Sequence, residues 1–147
     1  GFARDDYARL HPAGAIGRSI TLSVADIMRT GERCPCVSPQ TTVRDALMLM
    51  TRARSGSVAV IDETSKLMGI FTDGDFRRHV MDDTRMIEEP IRRVMTEDPI
   101  TIRDDALAIE LMKLIETRNI DDILVVDADD RVVGIVDTQD LPKFKLM

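Results

Sequence analysis

Ser57-Val58-Ala59-Val60-Ile61-Asp62, followed by Leu67-Met68-Gly69-Ile70-Phe71-Thr72-Asp73-Gly74-Asp75, is written twice in this chain. The second version is Asp122-Ile123-Leu124-Val125-Val126-Asp127, followed by Val132-Val133-Gly134-Ile135-Val136-Asp137-Thr138-Gln139-Asp140. Val60 answers to Val125, Asp62 to Asp127, Gly69 to Gly134 and Asp75 to Asp140, all at one offset of 65 residues. A constant offset over such a stretch means that one supersecondary unit is used twice and stacks on its copy. Each copy holds two β-rich runs joined by a polar turn, Glu63-Thr64-Ser65-Lys66 or Ala128-Asp129-Asp130-Arg131, the composition of a hairpin.

Outward from the hairpins, each repeat opens with a short segment ending in methionine, Val24-Ala25-Asp26-Ile27-Met28 or Ile91-Arg92-Arg93-Val94-Met95. A brief extended piece follows, near Cys36-Val37-Ser38 and Pro99-Ile100-Thr101-Ile102. Next comes an amphipathic helix. Val43, Ala46, Leu47, Met50 and Ala53 recur at helical spacing, with Thr42 as the N-cap. Ala108, Leu111, Met112 and Ile115 keep the stripe in the second copy, with Asp104 or Asp105 as the expected cap. A last helix starts near Asp73 or Thr138. The unit reads β-α-β-β-α, twice, over residues 23–80 and 91–143, and the fold class is α+β with the two repeats packed pseudo-symmetrically. Met81-Asp82-Asp83-Thr84-Arg85 is a polar surface connection, and residues 1–22 form a linker.

Composition narrows the function classes. No apolar run reaches the roughly 18 residues of a membrane span, and the first residues lack the apolar stretch of a signal peptide, so a cytoplasmic protein is expected. Cys34 and Cys36, one residue apart, read as free thiols, too few for a metal centre. Net charge is −6 but uneven: residues 1–87 carry 12 Lys/Arg against 11 Asp/Glu, and residues 88–147 carry 8 against 15. An acidic chain with 3% aromatic residues serves neither phosphate neutralisation nor base stacking, so nucleic acid is not an expected partner. A small anionic ligand should prefer the first half.

The strongest local signal is Gly69-Ile70-Phe71-Thr72-Asp73-Gly74-Asp75. A strand runs here into a helix start, whose free N–H groups and dipole favour an anion. Thr72 can add a hydroxyl donor and Asp75 an acceptor for ribose hydroxyls. The competing reading is that Thr72 or Asp73 caps the helix and Asp75 decorates its first turn. Arg52, Arg54, Arg77 and Arg78 are further candidates. Arg52 and Arg54 leave the first helix beside Ser55-Gly56-Ser57, near where a cleft would form. His79 is expected on a helix at an exposed or interface position.

Taken together, the two units resemble a tandem pair of cystathionine β-synthase (CBS) domains over nearly all of residues 23–143. The resemblance implies an adenosine-nucleotide site with Thr72 on the phosphate and Asp75 on the ribose, and Gly69, Ser57 and Arg54 around it. In the second repeat Asp137 stands where Thr72 does, and Asp121 and Asp122 add like charge. A weak or absent second phosphate site is therefore expected. The stretch Leu10-His11-Pro12-Ala13-Gly14-Ala15-Ile16-Gly17-Arg18 is similar to the junction between sugar-isomerase (SIS) and CBS domains in arabinose-5-phosphate isomerases. Ile70-Phe71-Thr72-Asp73-Gly74-Asp75-Phe76-Arg77-Arg78 is similar to that family too.

That resemblance implies a regulatory module whose parent carries an upstream SIS domain and interconverts ribulose 5-phosphate and arabinose 5-phosphate, on the route to the Kdo sugar of lipopolysaccharide. It implies CMP-Kdo or an adenine nucleotide as effector, no required cofactor and no metal. Catalysis is expected only in the parent, where His11 is a candidate residue. A homodimer is expected for the fragment, formed through Met48, Leu49, Met81 and Met86, and a higher oligomer for the parent. A generic adenylate sensor on another protein and a purely oligomerising module are the alternatives.

Overall fold

A computed structural model describes residues 21–146; the Leu10–Arg18 stretch and His11 lie outside them. The first repeat contains β1 (Cys36–Val37), a helix Val43–Ala53, β2 (Ser57–Ile61), β3 (Leu67–Thr72) and a helix Asp73–Asp82. The second contains β5 (Thr101–Arg103), a helix Ala108–Arg118, β6 (Asp122–Val126), β7 (Val132–Asp137) and a 3-10 helix Thr138–Phe144. A short helix Val24–Ile27 precedes the first set, and β4 (Thr96–Glu97) lies between the two. Among the described residues the α-helices are labelled, in chain order, α1 (Val24–Ile27), α2 (Val43–Ala53), α3 (Asp73–Asp82) and α4 (Ala108–Arg118). The architecture is mixed α/β with two small sheets, β1-β2-β3-β4 and β5-β6-β7.

The duplication is kept down to individual hydrogen bonds. In the hairpin turns, Asp62 Oδ1 accepts from the Thr64 and Lys66 N–H groups, and Asp127 Oδ1 from those of Asp129 and Arg131. Ser65 and Asp130 both take positive φ, as such turns require. Lys66 and Arg131, equivalent residues, pair with each other in an isolated antiparallel bridge, which puts the pseudo-twofold axis between them. Around that axis Ala59, Ile70, Leu124, Ile135 and Cys34 form a cluster of buried residues, two equivalent pairs meeting face to face. Cys34 and Cys36 are free thiols. Hydrogen bonding to Cys36 and burial push the Cys34 thiol up.

The opening segments are exchanged between the repeats. The Val24 N–H donates to the Ala106 carbonyl (2.8 Å) and the Ala108 N–H to that of Leu22 (2.9 Å), so α1 docks on the second repeat. Val24 and Ile27 lie in one core cluster with Leu111, Ile123 and Val136. Reciprocally, the Ile91 N–H donates to the Thr41 carbonyl (2.7 Å), and Ile91 packs with Val43, Met50 and Phe71. The two crossing chains then pass close to the hairpins. A Cβ on Gly69 would stand 2.7 Å from Met95 Sδ and 2.8 Å from the Thr96 carbonyl oxygen; one on Gly134 would stand 2.5 Å from Met28 Sδ and 2.9 Å from the Arg29 oxygen. Glycine is needed at both positions for this close approach, at negative φ.

Several local expectations are corrected. The α4 cap is not Asp104 or Asp105, which lie in the preceding turn; Leu107 holds the cap position, and Glu110 Oε2 accepts its N–H at 2.7 Å. The last helix of the second repeat is a 3-10 helix, with Pro142 inside it unable to donate to an α-helical ladder. Met86 is 4% exposed and packs in the first core from a 3-10 helix, Thr84–Glu88, so it cannot belong to an exposed apolar face. Met48 and Met81 are exposed, and Leu49 is half-buried. No helix among the described residues is long and apolar enough to cross a membrane.

Candidate ligand-binding site

The strand-to-helix junctions of both repeats open into one cleft of about 1110 Å3. Pseudo-symmetry dictates this, because the exchanged segments hold the two sheets so that β3 and β7 end toward each other. Thr72, Asp75, Arg54 and Arg77 line one side; Asp121, Asp122 and Asp137 line the other.

On the first side Thr72 is the N-cap of α3. Its Oγ1 accepts the Asp75 N–H (3.1 Å), and Asp75 Oδ2 accepts the Thr72 N–H (3.0 Å), a capping box. The capping reading and the ligand reading are compatible here. The cap uses an oxygen lone pair of Thr72 and leaves the hydroxyl proton free to serve a phosphate oxygen. Asp75 is 4% exposed and also accepts from the Thr96 hydroxyl (3.2 Å) and from Arg78, whose side chain is largely in solvent. A carboxylate offers about four lone-pair sites, so three donors leave room for one more. Arg54 ends α2 in the left-handed region (φ 54°) and lines the cleft, as does Arg77. Arg52 is exposed on α2, and His79 is half-buried on α3.

Ser57 and Gly69 stand apart from the cleft lining. Ser57 is fully buried, and its hydroxyl has no hydrogen-bond partner in the described structure. Gly69 serves the close approach of Met95 and Thr96.

The second side is built differently, around a residue the sequence reading did not single out. Arg29, just after α1, sends Nε to Asp140 Oδ2 (2.6 Å) and Nη2 to Asp140 Oδ1 (2.9 Å), a bidentate pair. Nη2 also lies 3.5 Å from Asp137 Oδ2, and Nη1 donates to the Arg54 carbonyl (3.1 Å). Both side chains of the Arg29–Asp140 pair are 9% exposed. The hydrogen bond from Arg29 holds the Asp140 carboxyl below its ordinary range, and Asp140 holds Arg29 above its own. Asp122 has no such cation to itself. Burial first, then the charges of Asp137 and Asp121, push its carboxyl up to about 6. Two matched methionines, Met28 and Met95, were the available signal for Arg29: they place it opposite Thr96 once the exchange of segments is known. No group of residues suited to a metal ion occurs among the described residues.

Comparison with known proteins agrees with this architecture. The CBS-domain family model matches twice, over residues 24–82 and 91–145. The chain belongs to the CBS-domain family. The CBS pair is similar to the solved structure of CBSX2 in complex with AMP (TM-score 0.72, 26% identity, covering 82% of this chain and 93% of that one). It is likewise similar to an uncharacterised conserved protein from Pyrococcus horikoshii (TM-score 0.72, 27% identity, 82% and 89% covered). In sequence the pair is 44% identical, over its whole length, to the arabinose 5-phosphate isomerase KdsD of Pseudomonas aeruginosa, and it spans 45% of that relative's length.

Proposed function

We propose that this CBS pair is the regulatory module of an aldose–ketose isomerase resembling KdsD, and that it binds an adenine nucleotide or a sugar nucleotide such as CMP-Kdo in its central cleft. The observation that carries the reading is the first half of the cleft, where the α3 N-terminus, the Thr72 hydroxyl, Arg54 and Arg77 converge on one open space. Helix N–H groups and dipole attract a phosphate, and two guanidiniums beside them add charge. Asp75, with acceptor capacity left, takes a ribose hydroxyl. The complex of the similar CBSX2 with AMP supports the same ligand class. The acidic far wall of Asp121, Asp122 and Asp137 repels a second phosphate and suits hydrogen-bond donors instead.

The pair itself carries no isomerisation chemistry; its effector changes the populations of states sampled by an upstream SIS domain, and the coupling is reciprocal. Self-association runs through the exposed methionines Met48 of α2 and Met81 of α3.

Titration calorimetry with AMP and with CMP-Kdo tests the assignment. Saturable binding is expected with at least one of them. Thr72→Ala removes a hydrogen bond to a charged group, worth about 1.5–3 kcal/mol, or roughly 10- to 150-fold in Kd. No heat and no thermal shift with either ligand would overturn the reading.

A further inference from the structure

We propose that Arg29 is a built-in occupant of the second half-site, so that the cleft accepts one nucleotide, at the first repeat only. This rests on the nucleotide-binding reading above and assigns the stoichiometry to Arg29, with Asp137 beside it.

The pseudo-symmetry makes the comparison residue by residue. Ile70 pairs with Thr96 across the first sheet edge, and the equivalent Ile135 pairs with Arg29 across the second. Arg29 is therefore the counterpart of Thr96. Likewise Asp75 answers to Asp140, Arg78 to Lys143 and Thr72 to Asp137. In the first half Thr96 gives Asp75 one hydrogen bond from an uncharged hydroxyl at 3.2 Å, and the cation of Arg78 sits mostly in water. A ligand hydroxyl can share or displace such partners at little cost. In the second half the guanidinium covers both oxygens of Asp140, and Lys143 Nζ lies 3.3 Å from Oδ1. Both members of the Arg29–Asp140 pair are nearly removed from solvent, so a ligand cannot take Asp140 without stranding a buried cation.

Two further features close the same half. Asp137 holds the position equivalent to Thr72, so a carboxylate lines the cleft where the first repeat offers a hydroxyl. The Asp137 carboxylate caps the following turn by accepting the Gln139 N–H (2.9 Å), so it is held in position. Arg29 also reaches the Arg54 carbonyl at the end of α2, which ties the plug to the first half of the cleft.

The test transplants each pattern onto the other half. Arg29→Thr with Asp137→Thr copies Thr96 and Thr72, leaves Lys143 to accompany Asp140, and keeps the net charge. Thr96→Arg does the reverse to the first half. Calorimetric stoichiometry is read with AMP and with CMP-Kdo, alongside a circular-dichroism melt of each variant. The expected values are one site for the wild type, two for the double variant and none for Thr96→Arg. A wild type with two sites, or a folded double variant that binds no more than the wild type, overturns the proposal while leaving ligand binding intact. If the double variant does not fold, undiminished binding by Thr96→Arg overturns it. A wild type without binding whose double variant gains one site refutes the nucleotide reading of the first half but supports the plug; no binding by either refutes both.

Discussion

Asp140→Ala should be among the most destabilising single substitutions in the second repeat. The change deletes both charge-assisted bonds to Arg29 and leaves a guanidinium whose side chain is 9% exposed. Removing one member of a buried pair costs about 3–5 kcal/mol, because the survivor stays desolvated. Arg29 keeps Asp137 at 3.5 Å and the Arg54 carbonyl at 3.1 Å, which places the loss near the lower end, about 3 kcal/mol. Asp75→Ala is the internal control. It loses a capping box, about 1 kcal/mol, a hydrogen bond from the Thr96 hydroxyl, about 0.5–1 kcal/mol, and a pair with the largely exposed Arg78, under about 1 kcal/mol. Urea unfolding followed by far-ultraviolet circular dichroism at pH 7 measures both. Arg29→Met combined with Asp140→Leu should recover most of the loss, since an apolar pair of similar volume leaves no stranded charge. If Asp140→Ala costs no more than Asp75→Ala, the buried-pair reasoning is wrong.

Three other outcomes follow from the same geometry. The folded Asp122 carboxyl, raised to about 6, binds its proton more tightly than the unfolded one near about 3.9, so stability rises as pH falls from 7 toward 5. The depressed Asp140 carboxyl acts in the opposite sense, contributing stability that is lost only below about pH 4. Melting temperatures at pH 7 and 5 should therefore increase for the wild type and stay level for Asp122→Asn; parallel curves would contradict the assignment. Gly69→Ala and Gly134→Ala should each cost about 1–3 kcal/mol by forcing a Cβ onto the crossing chain, and unaltered urea midpoints would show that the Met95 and Met28 segments yield freely. Light scattering of the purified CBS pair should give a dimer, and Met81→Glu together with Met48→Glu should shift it to monomer.

The repeat was legible because hairpin patterning and turn chemistry are local. Val60 and Val125, or Asp62 and Asp127, carry their roles within a few residues of themselves, and the structure repeats their hydrogen bonds. Thr42 was legible as a cap for the same reason. Arg29 was not. Its partner Asp140 lies 111 residues away, and the two meet only because α1 crosses to the second repeat. Nothing in a helical or strand period signals such an exchange. The need for glycine at position 69 is equally hidden, because the Met95 and Thr96 atoms that would crowd a Cβ arrive across the exchange. Met86, expected on an exposed apolar helix face, is carried inward by a 3-10 turn that no helical period announces.

A crystal structure of the CBS pair grown with AMP or CMP-Kdo tests the one-nucleotide cleft most directly. One nucleotide per chain is expected, its phosphate at the α3 N-terminus beside Thr72 and Arg77, with the Arg29–Asp140 pair unbroken. A nucleotide seated over Asp140 with Arg29 displaced, or a cleft left empty by both ligands at saturating concentration, would contradict it.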